Sequence, residues 1–238
     1  MKPVKSNVPR HIGIILDGNR RFAKRLMMKP WKGHEFGAEK IEKLMNWAEE
    51  LKIKEMTLYA FSIENFDRPK EEFNMLMRIF KESFDKVLNR IDEINKKGLR
   101  IRFIGRIEMF PEKVYSRMKK IMELTKNNKK YFINFAMAYG GRAEIIDATK
   151  KIANEIKKGK LKPEQINEEL FGRNLYLNSD PDLIIRTSGE QRISGFLLWQ
   201  GSYAEFYFIK KLWPEFEKED LVKAINDYSR RDRRFGKN

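Results

Sequence analysis

The sequence predicts a single α/β domain, residues 1–238, on a mostly parallel central sheet of about six strands flanked by helices. Short apolar runs alternate with longer amphipathic ones, the pattern of strands connected by crossover helices. Most of the short runs are apolar nearly throughout, as expected of strands covered on both faces. No internal repeat, low-complexity stretch or linker interrupts the 238 residues, a length that one large core can serve.

The strand candidates, in order, are Ile12–Leu16, Met56–Phe61, Leu99–Ile104, Tyr131–Met137, Leu183–Arg186 and Phe206–Ile209. Between the first two, Glu35–Leu51 places Ile41, Leu44, Met45, Ala48 and Leu51 on one helical face. After Pro69 a long helix carries Phe73, Leu76, Met77, Phe80, Phe84, Val87, Leu88, Ile91 and Ile94 at three- and four-residue spacing, and Gly98 ends it. Further helices are expected at Glu112–Thr125, Arg142–Lys157, Pro163–Leu170 and Glu217–Ser229, with Lys157–Lys162 a surface turn.

Composition narrows the partners. Hydrophobic residues make up 41%, and charged residues 35%, above the roughly 25% of an average domain. Fifty Lys and Arg against 34 Asp and Glu leave a formal charge of +16, which points to an anionic partner: nucleic acid, an acidic membrane surface or a phosphorylated substrate. The absence of cysteine removes disulfides, thiolate zinc sites and thiol catalysis, and it fits a reducing, cytoplasmic setting. Met1–Arg10 has no apolar signal core, and no run reaches the length of a membrane span, so any membrane contact is expected at its surface.

In open α/β sheets ligands sit at the carboxyl ends of strands. The first strand ends in Asp17-Gly18-Asn19-Arg20-Arg21 and runs into a basic, helix-like stretch through Lys24 and Arg25. A helix opening beside arginines suits a phosphate, and a carboxylate next to phosphates calls for a bridging hard cation such as Mg²⁺. Alternatively, Asp17 only caps the helix and Gly18 only turns the chain. The second strand leads into Ser62-Ile63-Glu64-Asn65-Phe66-Asp67-Arg68-Pro69, dense in polar and aromatic groups, or an ordinary capped loop with Pro69 in the first helical turn. The fifth ends in Arg186, followed by Arg192 and Ser194, a set suited to clamping a diphosphate or, otherwise, to a salt bridge with Glu190 or Asp182. Glu205 stands among aromatic residues as a metal ligand or an arginine's partner. His34 and His11 are the two histidines, and no spacing suggests zinc. The basic run Arg230–Arg234 is a solvated end, or a contact for phosphates or a second subunit.

Taken in order, the stretches from His11 to Ala23, Gly33 to Ala38, Leu58 to Pro69, Tyr139 to Arg142, Asp182 to Ser194, and Phe196 through Glu205 resemble the cis-prenyltransferase (undecaprenyl diphosphate synthase) family across nearly the whole chain. The resemblance implies repeated condensation of isopentenyl diphosphate onto an allylic diphosphate primer, farnesyl or geranylgeranyl. It implies Mg²⁺ held by Asp17 and Glu205, with Asp17 promoting departure of the allylic diphosphate. Gly18, Asn19, Arg20, Arg21 and Phe22 would cradle that diphosphate, with His34 and Arg68 assisting. Ser62, Ile63, Glu64 and Phe66 would line the cleft, with Asn65 participating in proton removal. Arg186, Arg192, Ile193 and Ser194 would bind isopentenyl diphosphate. A homodimer and an apolar product tunnel between sheet and helices belong to the same expectation.

Three positions depart from the family pattern. Pro30 stands where an arginine is common, leaving Lys29 or Lys32 to replace it; Gln191 replaces a histidine, and Ser188 a glycine. The helix after Pro69 reads about one turn longer than in bacterial members, a feature expected to go with longer products. A nucleic-acid-binding protein would explain the charge but not Asp17, Glu205 and the strand-end arginines. A non-catalytic partner subunit would lack the Asp17 or Arg186–Arg192 set, and a dinucleotide-dependent oxidoreductase would need a glycine fingerprint that the first turn lacks.

Overall fold

The computed structural model describes residues 8–231, so the basic run from Asp232 onward lies outside the described residues. The elements in order are β1 (His11–Ile15), α1 (Asn19–Arg25), α2 (Pro30–Glu50), β2 (Glu55–Ser62), α3 (Lys70–Asn89), α4 (Ile91–Lys97), β3 (Leu99–Ile104), α5 (Glu112–Thr125), β4 (Tyr131–Tyr139), α6 (Gly141–Lys157), α7 (Glu168–Asn174), β5 (Leu183–Arg186), β6 (Glu205–Phe208) and α8 (Lys218–Tyr228). The six strands form one parallel sheet in the order β3-β4-β2-β1-β5-β6.

Register explains where the site forms. β1 lies between β2 and β5, with Ile15 opposite both Tyr59 and Arg186. The three strands therefore end at one edge, and Asp17, Ser62 and Arg186 leave the sheet side by side. The apolar runs behave as their composition implies: Ile12, Ile14, Leu58, Ile133 and Ile185 are all fully buried. One face packs on α2, α3, α5 and α8 through residues such as Leu44, Leu76, Met118 and Ile225. The other is covered near its carboxyl edge by the β5–β6 connection, where Phe196 and Leu197 pack on Ile15, Tyr139 and Ile184.

Two expected helices are corrected. The long helix after Pro69 is not continuous: α3 ends at Asn89, Arg90 adopts φ −113° and ψ 21°, and α4 begins at Ile91. Asp92 and Glu93 fall in the first turn of α4, where carboxylates complement the helix dipole, and Arg90 pairs with both Glu93 and Glu42. A new N-terminus is thus favoured over an uninterrupted helix. Gly98, at φ 69°, does end the segment as expected. The expected helix Pro163–Leu170 is instead a short 3-10 turn at Pro163–Gln165 followed by α7. The Asn167 side chain accepts from the Leu170 amide at 2.9 Å, so it caps a helix that starts after it.

Helix α1 is held against α2 by close backbone approach. A Cβ on Gly33 would stand 1.9 Å from the Asn19 carbonyl oxygen, and one on Gly37 would stand 2.3 Å from Asn19 Oδ1. Gly18, at φ 111°, makes the left-handed entry to α1 against Leu212. Since the Gly33 obstacle is main chain, Gly33→Ala is expected to push α1 off α2 and to destabilise the fold by about 1–3 kcal/mol. Thermal melts would register this as a Tm lower by roughly 2–4 °C per kcal/mol, and an unchanged Tm would show that α1 moves aside freely.

Candidate active site

At the carboxyl edge of the sheet, Asp17 and Arg186 face each other. Arg186 Nη2 donates to Asp17 Oδ2 at 2.8 Å, and its Nη1 donates to Ser194 Oγ at 2.9 Å and to the Arg192 carbonyl. The Arg186 side chain is only 5% exposed, and its Nε is buried without a hydrogen-bond partner in the structure. Thr187, next in the chain, fixes the Asp17 backbone: its Oγ1 donates to the Asp17 carbonyl at 2.7 Å and accepts from the Asp17 amide at 3.0 Å. Burial acts to raise the Asp17 carboxyl, but the Arg186 hydrogen bond and the charges of Arg186 and Arg21 outweigh it and hold the pKa below the usual carboxylate range.

Around this pair the other guanidinium groups are shared between carboxylates. Arg21 reaches Asp17 Oδ2 at 3.5 Å, Glu190 Oε1 at 3.2 Å and the Ser188 carbonyl at 3.2 Å. Arg192 takes the other oxygen of Glu190. Arg68 donates to Glu72 at 2.9 Å and contacts His34 Nε2 at 3.0 Å, while Arg20 approaches Glu72 at 3.6 Å. A guanidinium cannot accept, so His34 Nε2 is the acceptor and the ring is neutral. Burial, helped by the charges of Arg68 and Arg20, pushes the His34 pKa down to about 3.

The loop after β2 is tied by Asn65, whose Oδ1 accepts the Ser62 amide at 3.1 Å. Glu64 is exposed there, whereas Ile63 lies against Gly140 at the start of α6. Phe66 turns inward: its ring meets Phe61, Phe110 and Phe73 at 5.1, 5.3 and 5.8 Å between centroids. Phe22 packs edge-on against Phe36 at 5.5 Å. Ile193, within the β5–β6 connection, is half-buried against the cluster that contains Phe196 and Tyr139. Asn19 ties α1 back to the strand end through its Nδ2, which donates to the Leu16 carbonyl at 3.1 Å. Lys29 lies over the Trp31 ring and Lys32 pairs with Glu35, so the contacts of both are with residues of α2.

Glu205 is not brought to Asp17 within one chain. It opens β6 opposite Leu183, three residues short of the Arg186 level, or about 10 Å at ~3.3 Å per residue. There it pairs with Arg231 at 2.6 Å. Among the described residues no three His, Asp or Glu side chains cluster as a metal cage. One carboxylate still fits Mg²⁺, which commonly binds through one or two carboxylates with substrate phosphates and water. The Ser188 side chain, also buried at this edge, helps Arg186 to hold the Asp17 carboxyl below the usual range.

Residues that sequence reasoning missed hold these groups in place. Glu72, 4% exposed, receives Arg68 and Arg20; its position four residues after Arg68 was the available signal. Tyr59 stacks on Phe196 at 5.0 Å and donates to the Tyr139 carbonyl at 3.2 Å. Buried Glu144 accepts from Tyr139 and Gln200, and burial raises its pKa despite those bonds. Nothing in the sequence spacing connects Tyr59, Phe196 and Gln200 with Tyr139 and Glu144 before the chain is folded.

Behind the polar edge, between the sheet and α2, α3 and α4, lies a cavity of about 510 Å³. Ile41, Met45, Phe80, Phe84, Ile101 and Phe135 form much of its wall. It extends from Ala60 and Met137, near the carboxyl ends of β2 and β4, to Ile53 and Leu99 at the other edge. A charged strand edge and a long apolar hollow within one domain suit a protein that handles an anionic head bearing a hydrocarbon tail.

Comparison with known proteins narrows that class. Residues 15–236 match the prenyltransferase family described as putative undecaprenyl diphosphate synthase, and the chain belongs to this family. A Methanocaldococcus jannaschii protein named tritrans,polycis-undecaprenyl-diphosphate synthase (geranylgeranyl-diphosphate specific) is 49% identical, covering 98% of this chain and 84% of its own. The crystal structure of lavandulyl diphosphate synthase from Lavandula x intermedia, in complex with dimethylallyl diphosphate, superposes with a TM-score of 0.91 at 36% identity, over 97% of this chain and 99% of that one. A probable undecaprenyl diphosphate synthase from Campylobacter jejuni gives a TM-score of 0.79 at 34% identity, over 97% and 100%.

The Asp17–Arg186 pair makes an acid-side prediction. With a depressed carboxyl, it contributes stability above the unfolded Asp value of about 3.9, lost as pH falls through the lower native value. Arg186→Gln leaves burial dominant and is expected to move the Asp17 carboxyl upward. Carboxyl carbon NMR titration reads this directly, and an unmoved Asp17 resonance midpoint would remove Arg186 as its cause.

Proposed function

We propose that this chain elongates a geranylgeranyl diphosphate primer with successive isopentenyl diphosphate units into a polycis chain of undecaprenyl length. The observation that carries the reading is Arg186, buried beside Asp17 at the carboxyl edge of the sheet with Nε unpartnered. A buried charged donor left unpaired is costly, and a diphosphate oxygen is the partner that its chemistry fits. Family membership and the name of the Methanocaldococcus relative support the reaction and the primer.

Arg20, Arg21 and the first-turn amides of α1, with Asn19 and Gly18, bind the allylic diphosphate; Phe22, His34 and Arg68 border it. Arg186, Arg192, Ile193 and Ser194 bind isopentenyl diphosphate. Asp17 and the allylic diphosphate would hold Mg²⁺, which when bound neutralises charge developing on the leaving oxygens. The guanidinium groups stabilise the same charge as the allylic C–O bond breaks. The isopentenyl double bond attacks the allylic carbon, and loss of a proton leaves a cis alkene. Asn65, with Ser62 and Glu64, shapes the turn beside that proton and participates in its removal. The cavity takes the growing tail and keeps water from the allylic centre.

Glu205 enters the metal site only with help from a second chain. β6 is an edge strand with Tyr203 and Phe208 exposed beside it, which suits the homodimer expected of the family. The apolar product suits release at a membrane surface, and no described helix is long and apolar enough to cross one.

Labelled isopentenyl diphosphate supplied with geranylgeranyl or farnesyl diphosphate is expected to give long products, more efficiently with geranylgeranyl. Asp17→Ala is expected to abolish turnover while the circular dichroism spectrum persists; near-normal turnover would refute its role. Arg192→Ala removes a charged hydrogen bond and is expected to raise the isopentenyl diphosphate KM roughly 10- to 100-fold. An unchanged KM would exclude Arg192 from the clamp.

A further inference from the structure

Much of the tunnel wall is aliphatic or aromatic, but the seam between α2 and the α3–α4 break is charged. Glu42, Asn46 and Glu49 line the cavity from α2, and Arg90, Glu93 and Lys97 line it from the break and α4. The two rows meet in ion pairs, Arg90 Nη1 with Glu42 Oε1 and Lys97 Nζ with Glu49 Oε2, the latter at 2.7 Å. All four side chains are between 41% and 64% exposed, so the pairs add little stability. Helix α4 has seven residues, none fully buried, and the half-buried Ile94 is the one apolar residue among those it turns toward the cavity. A short element with so little buried surface belongs to the part of a fold that opens first.

The cavity is also small for its proposed product. Its volume of about 510 Å³ lies inside the roughly 300–1,000 Å³ range of sites that hold drug-sized molecules. An eleven-unit prenyl chain is much larger than such a molecule and must either enlarge the hollow or leave it. Resting on the elongation reading above, we propose that the seam between α2 and α4 is a lateral outlet for the growing tail. The tail displaces α4 and emerges between the helices, and the Arg90–Glu42 and Lys97–Glu49 pairs set the chain length at which it does so. Neither pair belongs to the diphosphate site; they act on product length by holding the seam closed.

Product-length analysis with labelled isopentenyl diphosphate and geranylgeranyl diphosphate tests this. Arg90→Glu sets like charges across the seam and is expected to shift the distribution to products longer by one or more isoprene units. Exchanging the pair, Glu42→Arg with Arg90→Glu, is expected to restore the original distribution. Because the chain has no cysteine, Glu42→Cys with Arg90→Cys can be joined selectively by a bis-maleimide. Cross-linking is expected to shorten the products while addition of the first unit continues at the original rate. Unchanged lengths in both Arg90→Glu and the cross-linked protein would overturn the outlet, as would a lengthening that the exchange fails to reverse. A parent chain that incorporates no isopentenyl diphosphate would instead overturn the elongation reading, and the outlet with it.

Discussion

A buried guanidinium meeting a carboxylate across two adjacent strands is the constraint around which this site is arranged. Arg186 leaves β5 almost fully buried, where an isolated charge is untenable. Parallel pairing of β1 and β5 in a register that puts Ile15 beside Arg186 brings Asp17 within hydrogen-bond distance. The Arg192 carbonyl and the Ser194 hydroxyl complete most of its shell, so the β5–β6 connection must fold back over the strand end. That connection adopts positive φ at Ser188, Ser194 and Leu197, conformations that cost a non-glycine residue free energy. The Tyr59–Phe196 stack and the Gln200–Glu144 hydrogen bond help to offset it.

The same economy of charge extends outward. Glu190 bridges Arg21 and Arg192, and Glu72 bridges Arg20 and Arg68. In the proposed reaction each pair of arginines would exchange a shared carboxylate for diphosphate oxygens. The fold therefore keeps a dense set of cations close together without their mutual repulsion forcing them apart. Because Arg20, Arg21 and Arg192 are largely exposed, that exchange occurs in high dielectric and asks little of the scaffold. Arg186 and Glu72, both buried, are the fixed points instead.

The sheet was legible because its strands are nearly continuous apolar runs, a signal that survives without knowledge of contacts. β3 and β5 begin and end where the sequence placed them, and the other strands differ by one or two residues. The break at Arg90 was not legible, since Val87, Leu88, Ile91 and Ile94 keep helical spacing across it. At the break Arg90 pairs with Glu42 on α2, a long-range contact of which helical spacing carries no record. For the site, the structure brings the strand-end residues Asp17 and Arg186 together, and their mutual pairing takes the place of the alternative salt bridges to Glu190 or Asp182. Phe66 reads from sequence as a cleft residue, yet its ring belongs to an aromatic cluster with Phe61 and Phe110. Glu205 shows the limit differently: its strand position is close to that expected, but a residue at the amino edge cannot reach the carboxyl edge of its own sheet.

One irregularity in the sheet explains how a polar head site and an apolar hollow share a strand. The pairing of β2 with β4 runs Tyr59 to Ala136, then shifts so that Phe61 meets Met137 and Ser62 meets Tyr139. Strict alternation would send Tyr59 and Phe61 to the same face. The shift separates them: Tyr59 stacks on Phe196 under the β5–β6 connection, while Phe61 enters the aromatic cluster with Phe66, Phe80 and Phe110. Bulges of this kind re-aim side chains near active sites and end regular pairing. Here the re-aimed residues fall where β2 leaves the sheet, so within about three residues one strand supports the β5–β6 connection on one face and the aromatic core beside the cavity on the other. In a regular strand Tyr59 and Phe61 would share one face, and their two rings could not have served both sides of the sheet at this edge.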